Sequence, residues 1–343
     1  MKLPVPLDLE PMEARLVDAI PSGAGWQFEP KWDGFRCLAF RDGEEVALRS
    51  KSGQPFERYF PEIVTRLHAL GAKRFVLDGE LVVPSGEALS FDELMQRIHP
   101  AASRVARLAR ETPATLLVFD LLVDVDGLSL LELPLRERRM RLEAFAARYV
   151  PVGDPRVRLS PATRERATVD AWYARVGGAL DGVVAKRADS PYRPGARDAV
   201  VKVKAIRSAD CIVGGYRLSE RGDAVGSLLL GLFDADGRLD YVGFTSGFAA
   251  SEKRALLARL RTLDAEASFA GRTPGGPSRW NRGRSTEWQP VRPELVLEVA
   301  FDQVTAGRFR HGTRPLRWRP DKAPGTCTVD QIEQNDKTLA LFD

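Results

Sequence analysis

The chain has 343 residues, 44% of them hydrophobic and 29% charged, and its formal net charge is +4. This composition is ordinary for a soluble globular protein, and the length suits two domains, each with its own core. The N-terminus lacks the apolar core of a signal peptide and no run approaches about 18 apolar residues, so we expect no membrane span and a cytoplasmic location. Three scattered cysteines, Cys37, Cys211 and Cys327, exclude a self-contained disulfide framework and a four-cysteine zinc site.

The N-terminal half of the chain alternates between strand-like and helical patterns. Residues 35–50 predict a hairpin, because two strand-like runs flank Asp42-Gly43, a dipeptide favoured in two-residue turns. Apolar positions at helical spacing predict a helix over residues 133–149. Short apolar runs predict further strands at residues 75–83, 115–123, 181–187 and 199–205.

Beyond residue 205 the pattern changes to short strands between glycine-rich turns, with one helical stretch at 250–264 and a loop at 271–285. Residues 271–322 contain ten arginines and one lysine against five carboxylates. Such a basic surface suits a phosphate backbone, although a solvated positive face explains it equally well. The change in pattern predicts three parts: an α+β domain over residues 1–205, a small β-barrel-like domain over 206–325 and an acidic tail over 326–343.

Lysine is scarce among the basic residues, with ten lysines among 51, so each one is a candidate for chemistry that a guanidinium cannot perform. A lysine attacks phosphorus only as the neutral amine, and its site therefore needs neighbouring cations or a desolvated environment. Lys31 begins the tetrapeptide KWDG, which by itself is more often a surface turn than a nucleophile. Six of the ten lysines lie in short motifs: Lys31, Lys51, Lys186, Lys202, Lys204 and Lys322.

Carboxylates and further lysines follow at strand spacing. Asp78 and Glu80 would face the same side of one strand and repel each other unless a cation lies nearby. Asp181 and Lys186 stand at opposite ends of an apolar run. Residues 201–204 alternate strictly, so their two lysines would emerge on one sheet face. A solvent-facing strand is the alternative explanation for the first and the last of these patterns.

The order of the motifs is more informative than any one of them. The succession KWDG, LDGEL, FDLL, DGVVAKR, VKVK and RPDK resembles the motif series of the covalent nucleotidyltransferase superfamily, over about residues 25–325. The strings FEPKWDGFR and RPELVLEVAFDQVTAGRFRHGTRPLRWRPDKAP resemble the bacterial ATP-dependent DNA ligases of the repair and end-joining type. This resemblance implies an α+β fold, in which an ATP-grasp-like adenylation domain (nucleotidyltransferase) with antiparallel sheets precedes an OB-fold β-barrel domain.

The resemblance also implies roles around an ATP molecule. Lys31 matches the nucleophile that becomes adenylated. Glu29 matches a residue that reads the adenine edge, and Phe119 matches the ring that stacks on the base. Arg36 matches a position that contacts the nucleotide sugar or the nick phosphate.

Further roles concern phosphates and metal. Glu80 and Asp181 match carboxylates at the ribose and at a divalent metal, Mg²⁺ or Mn²⁺, both of which prefer oxygen ligands. The bases around the α-phosphate are matched by Lys186, Lys202 and Lys204. The residues of the second domain that orient the departing pyrophosphate are matched by Arg319, Asp321 and Lys322.

Two positions depart from the family pattern. Lys51 stands where relatives commonly have arginine, which keeps the charge but loses a bidentate contact with phosphate. Asp181 stands where many relatives have glutamate, so its reach toward a metal is one methylene shorter. Neither change removes a group that the chemistry requires.

The implied activity is ATP-dependent sealing of nicks in double-stranded DNA, through a covalent lysyl-AMP and an adenylated DNA end. The alternatives are an RNA ligase, an mRNA-capping-type guanylyltransferase and a non-catalytic nucleic-acid-binding OB protein. The lack of zinc-finger cysteines disfavours a NAD-dependent ligase. We expect a nucleoid-associated monomer. By family analogy, its partner would be a repair polymerase, a primase or Ku.

Overall fold

The computed structural model describes residues 1–86, 88–174, 180–204, 206–275 and 287–332. The chain forms two compact units, of which the first runs to Ala205 and the second begins at Ile206. Part of the predicted loop at 271–285, from residue 276 onward, and the end of the predicted tail, from residue 333 onward, lie outside the described residues. In the described ranges, no helix is long and apolar enough to cross a membrane.

The first unit combines two larger sheets with helices. Its helices are α1 (Pro61–Ala69), α2 (Phe91–Gln96), α3 (Ala102–Glu111), α4 (Leu135–Tyr149) and α5 (Arg166–Ala174). Its strands are β1 (Arg15–Leu16), β2 (Trp26–Trp32), β3 (Phe35–Asp42), β4 (Glu45–Ser50), β5 (Arg74–Val82), β6 (Pro84–Ser85), β7 (Ala88–Leu89), β8 (Thr115–Val123), β9 (Val157–Leu159), β10 (Leu180–Arg187) and β11 (Val200–Lys204).

The two sheets have the strand orders β1-β11-β10-β2 and β4-β3-β5-β8-β9. Within them the paired strands are antiparallel, except for β1 with β11 and β8 with β9. Val82 and Leu117 of the five-stranded sheet are buried in one cluster with Phe28 and Val183 of the four-stranded sheet. Residues of α1, α2 and α4 cover the other face of the five-stranded sheet. The sheets therefore pack on each other, and residues at the open end of this layer can border a pocket.

The second unit is built on one larger antiparallel sheet with the order β14-β13-β12-β16-β19, to which β15 adds beside β12. Its apolar core joins this sheet to the helix α6. Its elements are β12 (Arg207–Leu218), β13 (Val225–Phe233), β14 (Leu239–Thr245), α6 (Ala250–Arg261), β15 (Gln289–Pro290), β16 (Val296–Phe301), β17 (Val304–Thr305), β18 (Arg308–Phe309), β19 (Arg314–Trp318) and two 3₁₀ turns (Pro324–Thr326 and Val329–Ile332).

The barrel of this unit is open. Within the described residues the two edge strands, β14 and β19, do not pair, and a single bridge joins Thr245 of β14 to Thr313, the residue before β19. Phe309 of β18 packs against Gly243 of β14, where an added Cβ would lie 2.8 Å from the ring. The small β17–β18 hairpin thus lies along part of the edge that a closed barrel would pair. The expected antiparallel OB-fold is present as this partly open barrel.

The structure tests the predicted elements directly. The hairpin at 35–50, the four further strands and the helices at 133–149 and 250–264 are confirmed within a few residues. Cys327 and Ile332, which fall in the segment predicted as a tail, are buried in the core of the second unit. Charge composition gave no sign of this packing, because two apolar side chains among acidic residues form no periodic pattern.

Candidate active site

Lys31 lies near the end of β2, a strand that was not predicted from the sequence. Phe28 and Trp32 of this strand face the core, and the Trp32 indole donates a hydrogen bond to Ser160 Oγ at 2.9 Å. Lys31 lies on the opposite face, where its side chain is 20% exposed. Gly34 follows because a Cβ there would lie 2.2 Å from the Leu81 carbonyl oxygen. Lys31 and Trp32 of the KWDG motif thus end β2, and Asp33 and Gly34 connect it to β3.

A glycine in the neighbouring strand leaves room beside the lysine. Gly182 of β10 is in register with Lys31 of β2 on one side and with Lys204 of β11 on the other. Its φ is +143°, and an added Cβ would lie 2.0 Å from the Val203 carbonyl oxygen. The register shifts at this point of β10, next to Asp181. The irregular backbone places the Asp181 carboxylate among the lysines of the adjoining strands.

Asp181 joins two lysines. Its Oδ2 is hydrogen-bonded to the Lys31 ammonium and lies 3.4 Å from Lys204 Nζ. Its side chain is only 3% exposed, and among the described residues its Oδ1 has no hydrogen-bond partner. Lys202 lies on the same face of β11, and burial together with the charges of Lys31 and Lys204 lowers its pKa. The end of this sheet is therefore a cluster of cations around one buried carboxylate.

A second group of contacts surrounds an aromatic ring. Glu29 lines the same pocket as Lys31, and Lys186 Nζ lies 2.6 Å from Glu29 Oε2. The Glu29 Oε1 atom accepts a hydrogen bond from Gln27 Nε2 at 2.9 Å. Lys186 Nζ is also 4.3 Å from the centroid of the Phe119 ring. Lys186 therefore lies at the ring and Glu29, whereas the resemblance implies a contact with the α-phosphate.

Arg36 supplies the cation that the paired acids of β5 require. Its Nε and Nη2 atoms donate to the two oxygens of Asp78 at 2.5 and 2.6 Å, and the Tyr192 hydroxyl donates to Asp78 at 2.8 Å. Arg36 is in register with Glu80 on the adjacent strand and lies 4.6 Å from the Phe119 ring centroid. Burial raises the pKa of Glu80 to about 7, against the opposing effect of the charges on Arg36 and Lys31. The expectation that a cation lies near the two acids is confirmed.

Lys51 borders the pocket from the loop after β4. Its Nζ lies 3.0 Å from Glu13 Oε1, and Arg197 lies 2.5 Å from the other Glu13 oxygen. The hydrogen bond from Lys51, together with both positive charges, lowers the pKa of Glu13. The position that departs from the family pattern is thus held at the pocket by a carboxylate that the sequence did not single out.

The pocket brings most of the predicted residues of the first unit together. Asp181 adjoins it through its contact with Lys31, and Lys204 adjoins it through its contact with Asp181. The predicted residues that line it are Glu29, Lys31, Arg36, Lys51, Glu80, Phe119, Lys186 and Lys202.

The RPDK motif lies in the second unit, in a cluster of its own. Arg319 Nη1 donates to Asp210 at 2.9 Å, and Lys322 Nζ lies 3.0 Å from the same carboxylate. Arg319 Nη2 also donates to Asp321 at 2.9 Å. Hydrogen bonding from Arg319 lowers the pKa of Asp321 to about 2. Asp210 therefore contacts both of the cations for which the family resemblance implies a role at the pyrophosphate.

The residues near Lys31 fit a divalent metal that retains much of its water. In the described part of the chain, no group of three or more His, Cys, Asp or Glu side chains forms a ready metal cage. Glu80 and Asp181 nevertheless both interact electrostatically with Lys31, and the buried Asp181 Oδ1 has no other described partner. Mg²⁺ is held by one or two carboxylates plus water and substrate phosphates, which is a match for this arrangement.

Several residues of this site were missed from the sequence. Gln27 would have been placed on the face of Glu29 and Lys31 had β2 been recognised, because the three positions alternate. Tyr192 and Glu13 carried no signal, since each reaches the pocket from a segment distant in sequence. Asp210 lies in a long, mostly apolar strand. A buried carboxylate there indicates that a cation or hydrogen-bond donor lies nearby, but the sequence does not identify which residue supplies it.

Comparison with known proteins identifies the family. The model for the ATP dependent DNA ligase domain matches residues 11–204, and the model for the ATP dependent DNA ligase C terminal region matches residues 221–322. DNA ligase C1 of Mycolicibacterium smegmatis is 46% identical over 97% of this chain and 96% of that protein. DNA ligase C of Mycobacterium tuberculosis is 43% identical over 100% of this chain and 98% of that protein.

A solved structure of similar fold is mycobacterial DNA ligase D complexed with ATP and MES. It is 28% identical, with a TM-score of 0.51, over 94% of this chain and 98% of that chain. The chain belongs to the ATP-dependent DNA ligases. It is accordingly an enzyme that uses ATP and acts on nicked DNA, and the family disfavours the capping, RNA ligase and non-catalytic alternatives.

Proposed function

We propose that this ligase seals nicks between 3′-hydroxyl and 5′-phosphate ends, with Lys31 as its nucleophile. The observation that carries this proposal is the position of the Lys31 amine. It lies in one pocket with the Phe119 ring and Glu29, and at the edge of a cluster formed by Asp181, Lys202 and Lys204. An aromatic ring, a polar edge and a cationic cluster correspond to the base and the phosphates of a nucleotide.

The reaction then has three steps. The Lys31 amine attacks the α-phosphorus of ATP, a P–N bond forms, the bond to pyrophosphate breaks and the amine loses a proton. The 5′-phosphate at the nick attacks this phosphorus, which frees Lys31 and forms a P–O–P bond to AMP. The 3′-hydroxyl attacks the 5′-phosphorus, loses its proton, and AMP departs. Each step concentrates negative charge at phosphorus, so the positive charges beside Lys31 stabilise each transition state.

Some side chains of the pocket are assigned to the base of the nucleotide and others to its phosphates. We assign the base to Phe119 and Glu29, with Lys186 beside them, and the α-phosphate to Lys202 and Lys204. Arg36, fixed by Asp78, lies 4.6 Å from the ring centroid and is in register with Glu80, which suits a contact with the sugar or with the nick phosphate. Lys51 extends the positive surface at the rim.

Glu80 and Asp181 would hold Mg²⁺ or Mn²⁺. Such an ion, when bound, neutralises phosphate charge and orients the phosphoryl group. Asp181 contributes in a second way, because its contact with Lys31 fixes where the amine lies before attack. A lysine attacks phosphorus as the neutral amine, so Lys31 must leave this contact before it reacts.

The second unit supplies the remaining charges in this proposal. Arg319 and Lys322 would bind the pyrophosphate portion of ATP in the first step, with Asp321 orienting Arg319. They have no role in the later steps, where pyrophosphate is absent. Because these residues act only in the first step, we expect a conformational cycle in which this unit binds ATP first and DNA afterwards. The basic stretch at 271–322 would contact the DNA backbone.

The biological setting is inferred from relatives. The multifunctional non-homologous end joining DNA repair protein LigD of Mycobacterium tuberculosis is 34% identical over 87% of this chain, which corresponds to 37% of that protein. We propose a role in DNA repair for the present chain, as a nucleoid-associated monomer. Ku and a repair polymerase or primase are the partners to test.

A nick-sealing assay with ATP tests the proposal. Wild type should join a nicked duplex and become labelled by α-labelled ATP but not by GTP, whereas Lys31→Ala should do neither. The control is Lys73→Ala, since Lys73 is an exposed lysine paired with Glu44 and should be dispensable. Full sealing by Lys31→Ala with ATP would refute the assignment. Lys31→Ala should still seal a pre-adenylated nick, because that step does not use the amine.

A further inference from the structure

Gln27 is a buried residue that does not line the pocket but contacts Glu29, the residue proposed to bind the edge of the base. It is 4% exposed, and Glu29, to which it donates a hydrogen bond at 2.9 Å, is 2% exposed. A carboxylate only accepts hydrogen bonds, so the amide nitrogen of Gln27, not its oxygen, must face Glu29. Gln27 is in register with Lys186 across β2 and β10, which places the donors to Glu29 on one sheet face.

The two donors hold the Glu29 carboxylate through different oxygens. Gln27 Nε2 binds Oε1, and Lys186 Nζ lies 2.6 Å from Oε2. Lys186 contributes a positive charge, whereas the Gln27 amide is neutral and fixes the plane of the carboxylate without cancelling more of its charge. A glutamate held by only one of them would regain rotation about its terminal bond. Gln27 thus determines the direction of the remaining lone pairs of Glu29.

Direction matters because Glu29 and Phe119 line the same pocket. The ring lies within 4.3 Å of Lys186 Nζ, and Lys186 bonds Glu29, so a planar base on the ring would present its edge to this carboxylate. A 6-amino group donates a hydrogen bond to a carboxylate, whereas a 6-oxo group is repelled by it. A hydrogen-bonding site of this kind discriminates strongly only when its polar groups are fixed.

We propose that Gln27 is a positioning residue that sets the preference of the first step for a 6-aminopurine over a 6-oxopurine triphosphate, acting through Glu29. This inference rests on the proposed function, in which the pocket binds ATP for transfer to Lys31. Gln27 touches neither the phosphates nor the amine in this arrangement. Its loss should therefore alter nucleotide affinity and selectivity while leaving the chemistry at Lys31 in place.

The experiment compares self-adenylylation with ATP and self-inosinylation with inosine triphosphate, which differ at C6 of the base. Gln27→Leu removes the donor at similar volume, and we expect KM for ATP to rise about ten-fold with little change in kcat. The ratio of kcat/KM between ATP and inosine triphosphate should fall by about the same factor. Sealing of a pre-adenylated nick should remain at the wild-type rate.

Two controls separate positioning from general destabilisation. Ser160→Ala removes the partner of the Trp32 indole on the opposite face of β2, and should lower stability without changing the ATP to inosine triphosphate ratio. In a Glu29→Gln background, Gln27→Leu should change that ratio no further, because the residue through which it acts is gone. If Gln27→Leu does not fold, Gln27→Met carries the same test.

The outcomes are distinguishable. A wild-type ratio in Gln27→Leu, or an undiminished effect of Gln27→Leu in the Glu29→Gln background, would overturn the assignment of Gln27. A wild-type protein that forms no lysyl-AMP would instead overturn the proposed function itself. A fall in kcat with an unchanged ratio would place Gln27 in the scaffold of Lys31 and would likewise overturn the inference.

Discussion

The Asp181 carboxylate binds the Lys31 ammonium through Oδ2, while its buried Oδ1 has no hydrogen-bond partner among the described residues. A buried carboxylate oxygen without a partner is costly, because its desolvation is not compensated. Lys204 Nζ lies 3.4 Å from Oδ2 and adds positive charge there, but it does not hydrogen-bond to Oδ1. The arrangement is therefore complete only when another cation or donor reaches Oδ1, as the proposed metal would.

Asp181→Asn tests this relationship. The amide keeps the shape of the side chain and an acceptor for Lys31, but it loses the charge that holds the lysine and the proposed metal. We expect self-adenylylation to fall by at least about ten-fold, with a larger requirement for Mg²⁺. Asp170→Asn, an exposed change in the Arg166–Asp170 pair of α5, is the matched control and should have no effect. Equal activity of the two variants across a Mg²⁺ titration would remove Asp181 from the site.

Gly182→Ala should disrupt the site through the backbone. The added Cβ would meet the Val203 carbonyl oxygen at 2.0 Å, and φ of +143° is unfavourable for alanine. We expect the free energy of unfolding to fall by roughly 3 kcal/mol, with loss of self-adenylylation in the folded fraction. Chemical denaturation measures the first effect and labelling by ATP the second.

Gly43→Ala separates conformational strain from steric contact in this test. Gly43 also has positive φ, +62°, but an added Cβ would meet nothing within 4 Å. The cost there should be about 1 kcal/mol, with activity retained. If Gly182→Ala were no more destabilising than Gly43→Ala, the close approach to β11 would not constrain the strand.

The sequence predicted the residues of this site better than the way they meet. Lys31, Glu80 and Phe119 fell in recognisable motifs, and the strand spacing of Asp78 and Glu80 correctly required a nearby cation. β2 itself was missed, because Pro30 and the aspartate-glycine pair that follows Trp32 resemble a turn. Pro30 is tolerated because β2 lies at the edge of its sheet, where the N–H that proline lacks is not needed for pairing. Gly34 has no side chain, which allows β5 to approach closely.

Contacts between segments that are distant along the chain could not be predicted from the sequence. Tyr192 reaches Asp78 across 114 positions, and Glu13 reaches Lys51 from the N-terminal segment. Such pairs are decided by how the sheets pack, which periodicity along one strand does not describe. The open edge of the second unit was missed for the same reason, since closure depends on pairing between β14 and β19 rather than on the pattern within either.

Glu80→Gln should remove a pH-dependent contribution to stability. Burial raises the pKa of Glu80 to about 7, above the value of about 4.3 expected in the unfolded chain. The folded state therefore holds more protons between these values, and the contribution of Glu80 to stability is lost as pH rises through this window. The glutamine does not ionise, so the stability of Glu80→Gln relative to wild type should rise by on the order of 2 kcal/mol from about pH 5 to about pH 8.

Urea denaturation of both proteins without divalent metal measures this difference. Glu111→Gln is the control, because Glu111 is an exposed glutamate on α3 paired with Arg107 and should show no such trend. Parallel stability curves for wild type and Glu80→Gln would mean that burial does not perturb this carboxyl. A trend of opposite sign would mean that Arg36 and Lys31 outweigh burial.

Lys322→Ala should separate the first step of ligation from the last. Lys322 lies 3.0 Å from Asp210 in the second unit, beside Arg319, and its proposed ligand is the pyrophosphate portion of ATP. Pyrophosphate leaves in the first step, so charge stabilisation by Lys322 is needed only there. We expect self-adenylylation to fall about 10- to 100-fold, while sealing of a pre-adenylated nick falls by less than about three-fold.

Arg254→Ala provides the comparison for this variant. Arg254 is an exposed cation on α6 that lies 3.5 Å from Asp223, so its removal lowers the charge of the same unit by the same amount. Both activities should survive that change, which excludes a general effect of net charge on DNA binding. Equal loss of the two steps in Lys322→Ala would show that the lysine serves DNA or the fold instead of pyrophosphate. Selective loss of the first step would tie the second unit to ATP, because no later step contains the group that Lys322 is proposed to bind.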